Sequence, residues 1–122
     1  MLTENIKLIY TKHKVEDMNL VYHNKKIKLI ECTSFYKRFM GFMGQTNINH
    51  ALLFNQCNSI HTFFMKKNID VIFCNQENII ISYFPNLSPR KIIFFQKKAT
   101  KTFELPPNYF KIKIGERLEI EK

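Results

Sequence analysis

Glycine occurs only three times in this chain of 122 residues, at Gly41, Gly44 and Gly115. A loop that cradles phosphate through backbone N–H groups needs closely spaced glycines, and neither the Walker spacing nor Gly-x-Gly-x-x-Gly is present. Tryptophan is absent, and three Arg stand against sixteen Lys. Readers of base edges favour the guanidinium fork, so the shortage of Arg speaks against sequence-specific recognition of nucleic acid. Cys32, Cys57 and Cys74 are odd in number and widely spaced, with no Cys-x-x-Cys. That disfavours a zinc ribbon or a dithiol redox pair, and free thiols suit a reducing compartment. Apolar runs are short, such as Ala51-Leu52-Leu53-Phe54, far below the ~20 residues of a membrane span. No continuous apolar stretch of a signal peptide lies within Met1 to Tyr10, so a cytoplasmic protein is expected. No Ser sits in Gly-x-Ser-x-Gly and no His in His-Glu-x-x-His. No catalytic set, metal site or cofactor is expected.

Hydrophobic residues make up 45% and charged residues 24% of the chain, with 12 Phe and 5 Tyr. That is enough apolar material for a packed core, and the length suits one domain over residues 1–122. The net charge is +9. Ile, Lys and Asn together supply 44 residues, as an AT-rich coding bias would, so composition accounts for much of the charge. A lysine-rich surface still binds nucleic acid weakly and without sequence preference, through counterion release. Lys97, Lys98, Lys101, Lys111 and Lys113 lie beside Phe103, Tyr109 and Phe110 in the sequence and suggest such a face; a solvated cover over a core is the plainer reading.

The patterning is mostly that of short strands. Asn19–Tyr22 and Ile27–Cys32 flank His23-Asn24-Lys25-Lys26 as a hairpin, and Ile27 and Leu29 share a face. Ser34 to Met43 reads as the one main helix: Thr33 or Ser34 caps it, Phe35, Phe39, Phe42 and Met43 form one apolar stripe, and Gly44 ends it. Strands follow at 51–54, 60–66, 69–75, 78–84, 90–96, 100–105 and 118–121, with a break at 85–89. The expected fold class is α+β, mostly antiparallel β: a small barrel-like or sandwich sheet with one helix near residues 34–43.

Four blocks carry a resemblance to a known family. Arg38-Phe39-Met40-Gly41-Phe42-Met43 is similar to Arg-x-x-Gly-Leu-Met, and Ala51-Leu52-Leu53-Phe54 to Gly-Met-Leu-Phe. His61-Thr62-Phe63-Phe64-Met65 with Ile69-Asp70-Val71-Ile72-Phe73 is similar to His-Thr-Phe-x-Met followed by Ile-Asp-Val-x-Phe. Glu104-Leu105-Pro106-Pro107 with Gly115-Glu116 is similar to Glu-Leu-Pro-Ala-Gly and a late Gly-Asp. In this order they resemble the domain of unknown function 192 family of bacteria and archaea, over about residues 32–119. The resemblance implies a compact β-rich domain and no biochemical role.

The candidate ligand-binding residues are Arg38, His61, Met65 and Asp70. If Lys67-Asn68 is a two-residue turn, residues 60–66 and 69–75 pair antiparallel. His61, Phe63 and Met65 then share a face with Asp70, Ile72 and Cys74. Asp70 can tune the imidazole, the sulfurs can hold a soft metal, and Arg38 can grip an anion or pair with Asp70 or Glu104. The plainer alternative makes Met65 and Cys74 core residues and Asp70 an acceptor for loop N–H groups. Glu104, at a strand end, is read as structural. The leading functional reading is a non-catalytic accessory domain that binds a small ligand or partner segment near His61 and Asp70. Weak nucleic-acid binding through lysines is the second reading, and a minor enzyme using Asp70, His61 and Arg38 the third.

Overall fold

The computed structural model describes residues 18–33, 42 and 44–122. Nine strands occur among them: β1 (Met18–Tyr22), β2 (Lys25–Glu31), β3 (Ala51–Asn55), β4 (Ile60–His61), β5 (Ile69–Cys74), β6 (Ile80–Leu87), β7 (Ile92–Ile93), β8 (Lys101–Leu105) and β9 (Glu119–Glu121). Seven form one sheet in the order β6-β5-β8-β3-β2-β1-β9, and β4 pairs with β7 in a small second sheet. Every pairing is antiparallel except β2 with β3. The mostly antiparallel, barrel-like sheet expected from the patterning is present. The helix expected over residues 34–43 falls almost wholly outside the described residues, and no helix occurs among those that are described.

The first hairpin shows how local chemistry sets register. His23 and Asn24 both adopt positive φ, 49° and 64°, the backbone of a type I′ turn whose twist matches the flanking strands. Tyr22 therefore pairs with Lys25, Leu20 with Ile27 and Met18 with Leu29. The period of two then points Met18, Leu20, Tyr22, Ile27 and Leu29 into one core. From β2 the chain must cross over to lie parallel beside β3, and residues 32–50 make that connection.

The middle strands are buried on both faces. All six residues of β5 are buried, as are four of five in β3 and in β8. Their alternate side chains feed two cores. Leu53, Ile72, Cys74, Phe103 and Leu105 join the β1–β2 residues inside the curl. Leu52, Phe54, Val71 and Phe73 face outward, where Phe42, Met65 and Ala99 cover them. Ile60 and Ile93, from the small sheet, complete that outer cover.

The curl brings the two sheet edges together at one point. Ile79 bridges Arg117, the Ile80 N–H donates to Glu116 O at 2.8 Å, and the Gly115 N–H donates to Ile80 O at 2.9 Å. Gly115 takes φ +91° there, which a residue with a Cβ resists. Next to the junction the Tyr22 hydroxyl donates to the Glu116 carboxylate and accepts from the Lys113 N–H at 3.0 Å. That bond to Tyr22, and then one to His23, hold the Glu116 carboxyl below its ordinary range.

Strand β6 runs through Pro85, where a break was expected from the sequence. It is an edge strand, so the missing proline N–H leaves no neighbour unpaired. The register against β5 slips beside it, from Val71↔Phe84 to Ile69↔Leu87. One extra residue on β6 thus forms a bulge, in which Asn86 takes φ +51°.

A test of the two-core arrangement follows. Ile72→Ala and Phe73→Ala, adjacent residues on opposite faces of β5, should each lower stability, by about 2–5 and 3–5 kcal/mol respectively. Urea denaturation would read both; a near-silent Phe73→Ala would mean that the outer face is solvated.

Candidate functional site

Asp70 is where the β6 bulge acts. The residue is 2% exposed on the inner face, and its carboxylate accepts three hydrogen bonds. The Asn86 N–H donates at 2.7 Å, the Tyr83 hydroxyl at 2.8 Å and the Asn108 N–H at 2.9 Å. Burial, and then the bond to Asp70, push the Tyr83 phenol up from its usual range. One carboxylate thereby fixes the ends of β5 and β6 and the loop after β8.

Those same ends wall an open cleft of about 510 Å³, lined by Thr46, Asn47, Ile48, Lys66, Lys67, Asn68, Asn86 and Pro107. Asn68 Nδ2 donates to Asn86 Oδ1 across it at 3.1 Å. Two lysines, three amides and a hydroxyl line this space, and no carboxylate does. Such a lining offers charge-assisted donors to an anion. In the sequence these positions read as a polar stretch before the 51–54 strand, a strand end (66), a turn (67–68), a break (85–89) and part of the Glu104–Pro107 block, because each is unremarkable alone and they converge from four separate segments.

Glu104 is the second buried carboxyl, at 4% exposure. On β8 it lies between Leu52 of β3 and Val71 of β5, both outer-core residues. Its Oε1 has no hydrogen-bond partner. Burial pushes it up to about 8, against a smaller opposing effect of a hydrogen bond from the Phe42 backbone. A carboxyl in this setting is predominantly protonated at neutral pH and carries a hydroxyl donor into an apolar layer.

The sequence candidates do not meet on one face. Arg38 lies outside the described residues. The expected hairpin through Lys67-Asn68 does not form, because β4 pairs with β7 instead, Ile60 with Ile93 and His61 with Ile92. Thr62 is the cause. Its N–H donates to Lys91 O at 2.8 Å, its hydroxyl donates to Ser88 O at 2.8 Å and accepts from the Lys91 N–H at 2.8 Å. The chain then turns at Phe63-Phe64, with the Met65 N–H donating back to Thr62 O at 3.2 Å. Phe64 has φ +66°, a conformation that costs a bulky residue about 1–3 kcal/mol. His61 is consequently exposed, with its ring 5.5 Å from that of Phe63. Met65 packs in the outer core, and Asp70 lies on the inner face. Burial pushes the Cys74 thiol up to about 12, so it carries no thiolate for a metal or an electrophile. Among the described residues no three His, Cys, Asp or Glu side chains cluster to hold a metal ion.

The two carboxyls respond differently to substitution and pH. Asp70→Asn places an amide N–H2 against backbone donors and should cost about 1–3 kcal/mol, measured by urea denaturation. For Glu104 the folded state holds its proton to higher pH than the unfolded chain does. The folded state therefore binds more protons between the ordinary carboxylate range and pH 8, and stability falls as pH rises through that window. Glu104→Gln should remove this part of the slope and be more stable than the wild type above pH 8; parallel slopes for the two proteins would contradict a raised Glu104.

Comparison with known proteins agrees with this architecture. Residues 18–120 match the domain of unknown function 192 family, described as an uncharacterized ACR. The UPF0127 protein of Pyrococcus abyssi is 36% identical over 95 residues, covering 70% of this chain and 80% of its own length. That of Thermococcus gammatolerans is 43% identical over 56 residues, 41% of this chain and only 37% of its own length. Among solved structures, a protein of unknown function from Novosphingobium aromaticivorans superposes with a TM-score of 0.70 at 12% identity, over 86% of this chain and 84% of its own. A putative transcription regulator from Sinorhizobium meliloti superposes with a TM-score of 0.68 at 17% identity, over 88% and 97%. At these identities the two structures share the fold, while the family match spans every strand of the sheet except the last residue of β9: the chain belongs to the domain of unknown function 192 family.

Proposed function

We propose that this chain is a non-catalytic accessory domain that binds a small anionic ligand in the cleft between the ends of β5, β6 and β8. The observation that carries the reading is the lining: Lys66 and Lys67 beside Asn47, Asn68 and Asn86, with no carboxylate. The cleft volume of about 510 Å³ falls in the range of small-molecule sites. Two of its three amides are braced, Asn86 through its backbone bond to Asp70 and Asn68 through its side-chain bond to Asn86. Bracing lowers the ordering cost of binding. An acid–base mechanism through His61 and Asp70 finds no support, since the two lie on separate faces and Asp70 is committed to three donors.

The nucleic-acid reading draws on the lysines and on the description of the Sinorhizobium relative as a putative transcription regulator. The C-terminal basic and aromatic residues support it less than their sequence proximity suggests. Phe103 and Phe110 are buried, Lys25 sits 4.1 Å over the Tyr109 ring, and Lys101 donates to Asn78 at 2.7 Å. Few aromatic faces remain there for a base to stack on.

The test is thermal denaturation with inorganic phosphate, citrate and a nucleoside monophosphate as probes. A ligand that binds only the folded state at about a hundred times its Kd adds about 2.7 kcal/mol. At least one anion should raise the melting temperature of the wild type and not that of Lys66→Ala/Lys67→Ala. Both lysines are exposed, so the unliganded melting temperature should stay unchanged. Indifference of the wild type to every anionic probe would overturn the reading.

A further inference from the structure

The β4–β7 sheet has a second face, turned away from the outer core. Ile60 and Ile93 point onto the outer core, so their neighbours His61 and Ile92, a directly opposed pair, point away from it. Phe94 extends this row past Ile92 on one side, and Phe63 extends it past His61 on the other. Phe95 and Phe64 are the next residues along the two segments, and both are exposed. The result is an exposed apolar ridge: Phe94 is 76%, Phe64 75%, Phe95 65% and Ile92 49% exposed. Several large apolar side chains exposed on one small sheet and the residues next to it mark an interaction site. Phe64 is held out at φ +66°, a strained backbone at a side chain that gains no burial in return.

Among the described residues, the charged side chains next to β7 in the chain are all positive. Arg90, Lys91, Lys97 and Lys98 border β7 and are all exposed. Neither residues 32–69 nor residues 78–103 contain an Asp or Glu. On the adjoining β5 the one carboxylate, Asp70, is buried, and Glu77 stands beyond its far end in the turn to β6.

We propose that this ridge is a docking surface for an anionic lipid bilayer, with Phe64, Ile92 and Phe94 entering the interface and the flanking lysines meeting the headgroups. Apolar side chains combined with adjacent basic residues are the two signals that peripheral attachment requires. A second copy of the chain is a poor occupant, because the same uncompensated positive charge would face itself. Single-stranded nucleic acid fits less well. Its bases stack on aromatic platforms in a groove, whereas these side chains stand out from the surface around a central isoleucine. The surface is separate from the anion cleft, and the inference does not rest on ligand binding there.

The experiment is flotation of the protein with vesicles of phosphatidylcholine alone and of phosphatidylcholine mixed equally with phosphatidylglycerol. The wild type should float with the mixed vesicles, not with the neutral ones, and less as salt rises. Phe64→Ser/Phe94→Ser should bind at least about tenfold more weakly, since two partly buried Phe side chains account for more than a factor of ten in partitioning. Its melting temperature should not fall, because both residues are exposed. Lys97→Glu/Lys98→Glu should also release the protein. Phe94→Trp supplies the sole tryptophan of the chain, and its emission should shift to the blue on the mixed vesicles. Failure of the wild type to float at low salt, equal binding by the serine variant, or an unshifted Trp emission would each overturn the proposal. So would an oligothymidylate that binds through the same phenylalanines in the absence of vesicle binding.

Discussion

Burial of β5, β8 and β3 on both faces is the constraint on which the rest of the molecule turns. A half-buried antiparallel sheet needs one cover; these three strands need two. The inner cover comes from the curl itself, which folds β1, β2 and the approach to β9 over Ile72, Phe103 and Leu53. The outer cover is assembled from pieces with no other common purpose: Phe42, Met65, Ala99 and the inward residues of β4 and β7. At ~25 cal/mol for each Å² of apolar surface removed from water, neither layer is dispensable to a chain of this size.

The outer layer has a consequence. A two-stranded sheet recruited to cover a core has a far side of its own, and here that side bears Phe94, Ile92 and, next to His61, Phe63. Thr62 anchors it by bonding to Ser88 and Lys91 at once. The strain at Phe64 arises where the chain leaves Thr62 and must return Met65 to the core.

Two buried carboxyls sit one register position apart on adjacent strands, Asp70 opposite Leu105 and Glu104 opposite Val71, and their chemistry is opposite. Asp70 points to the strand ends, where backbone N–H groups freed by the bulge and by the loop after β8 satisfy it. Glu104 points into the apolar outer layer, where the Phe42 backbone supplies one bond and Oε1 is left without a partner. The same functional group becomes a fully paired brace in one place and a proton-holding acid in the other, because strand alternation sends the two side chains to different faces.

Local patterning along the chain was enough to set the class of the molecule and much of its strand inventory. Alternation in 19–22 and 27–32, the apolar run of 51–54 and the apolar stretch of 69–75 are local properties, and local backbone preferences express them; the connection expected over His23 to Lys26 tightens in the structure to the two residues His23 and Asn24, with Tyr22 paired to Lys25. The four ordered blocks were enough to point to the family. Tertiary structure alone decided which strands pair. The sequence 60–75 is consistent with a hairpin through Lys67-Asn68, yet Thr62 finds better partners on a segment 26 and 29 residues away. That moves His61 to the surface and Met65 to the face opposite Asp70. Pro85 argued against a strand, and only the edge position of β6 tolerates it. The Lys66–Asn86 cleft and the orphaned oxygen of Glu104 were equally out of reach. Each depends on segments distant in sequence arriving at one place, and a pattern of period two carries the face of a side chain but not the identity of its neighbour.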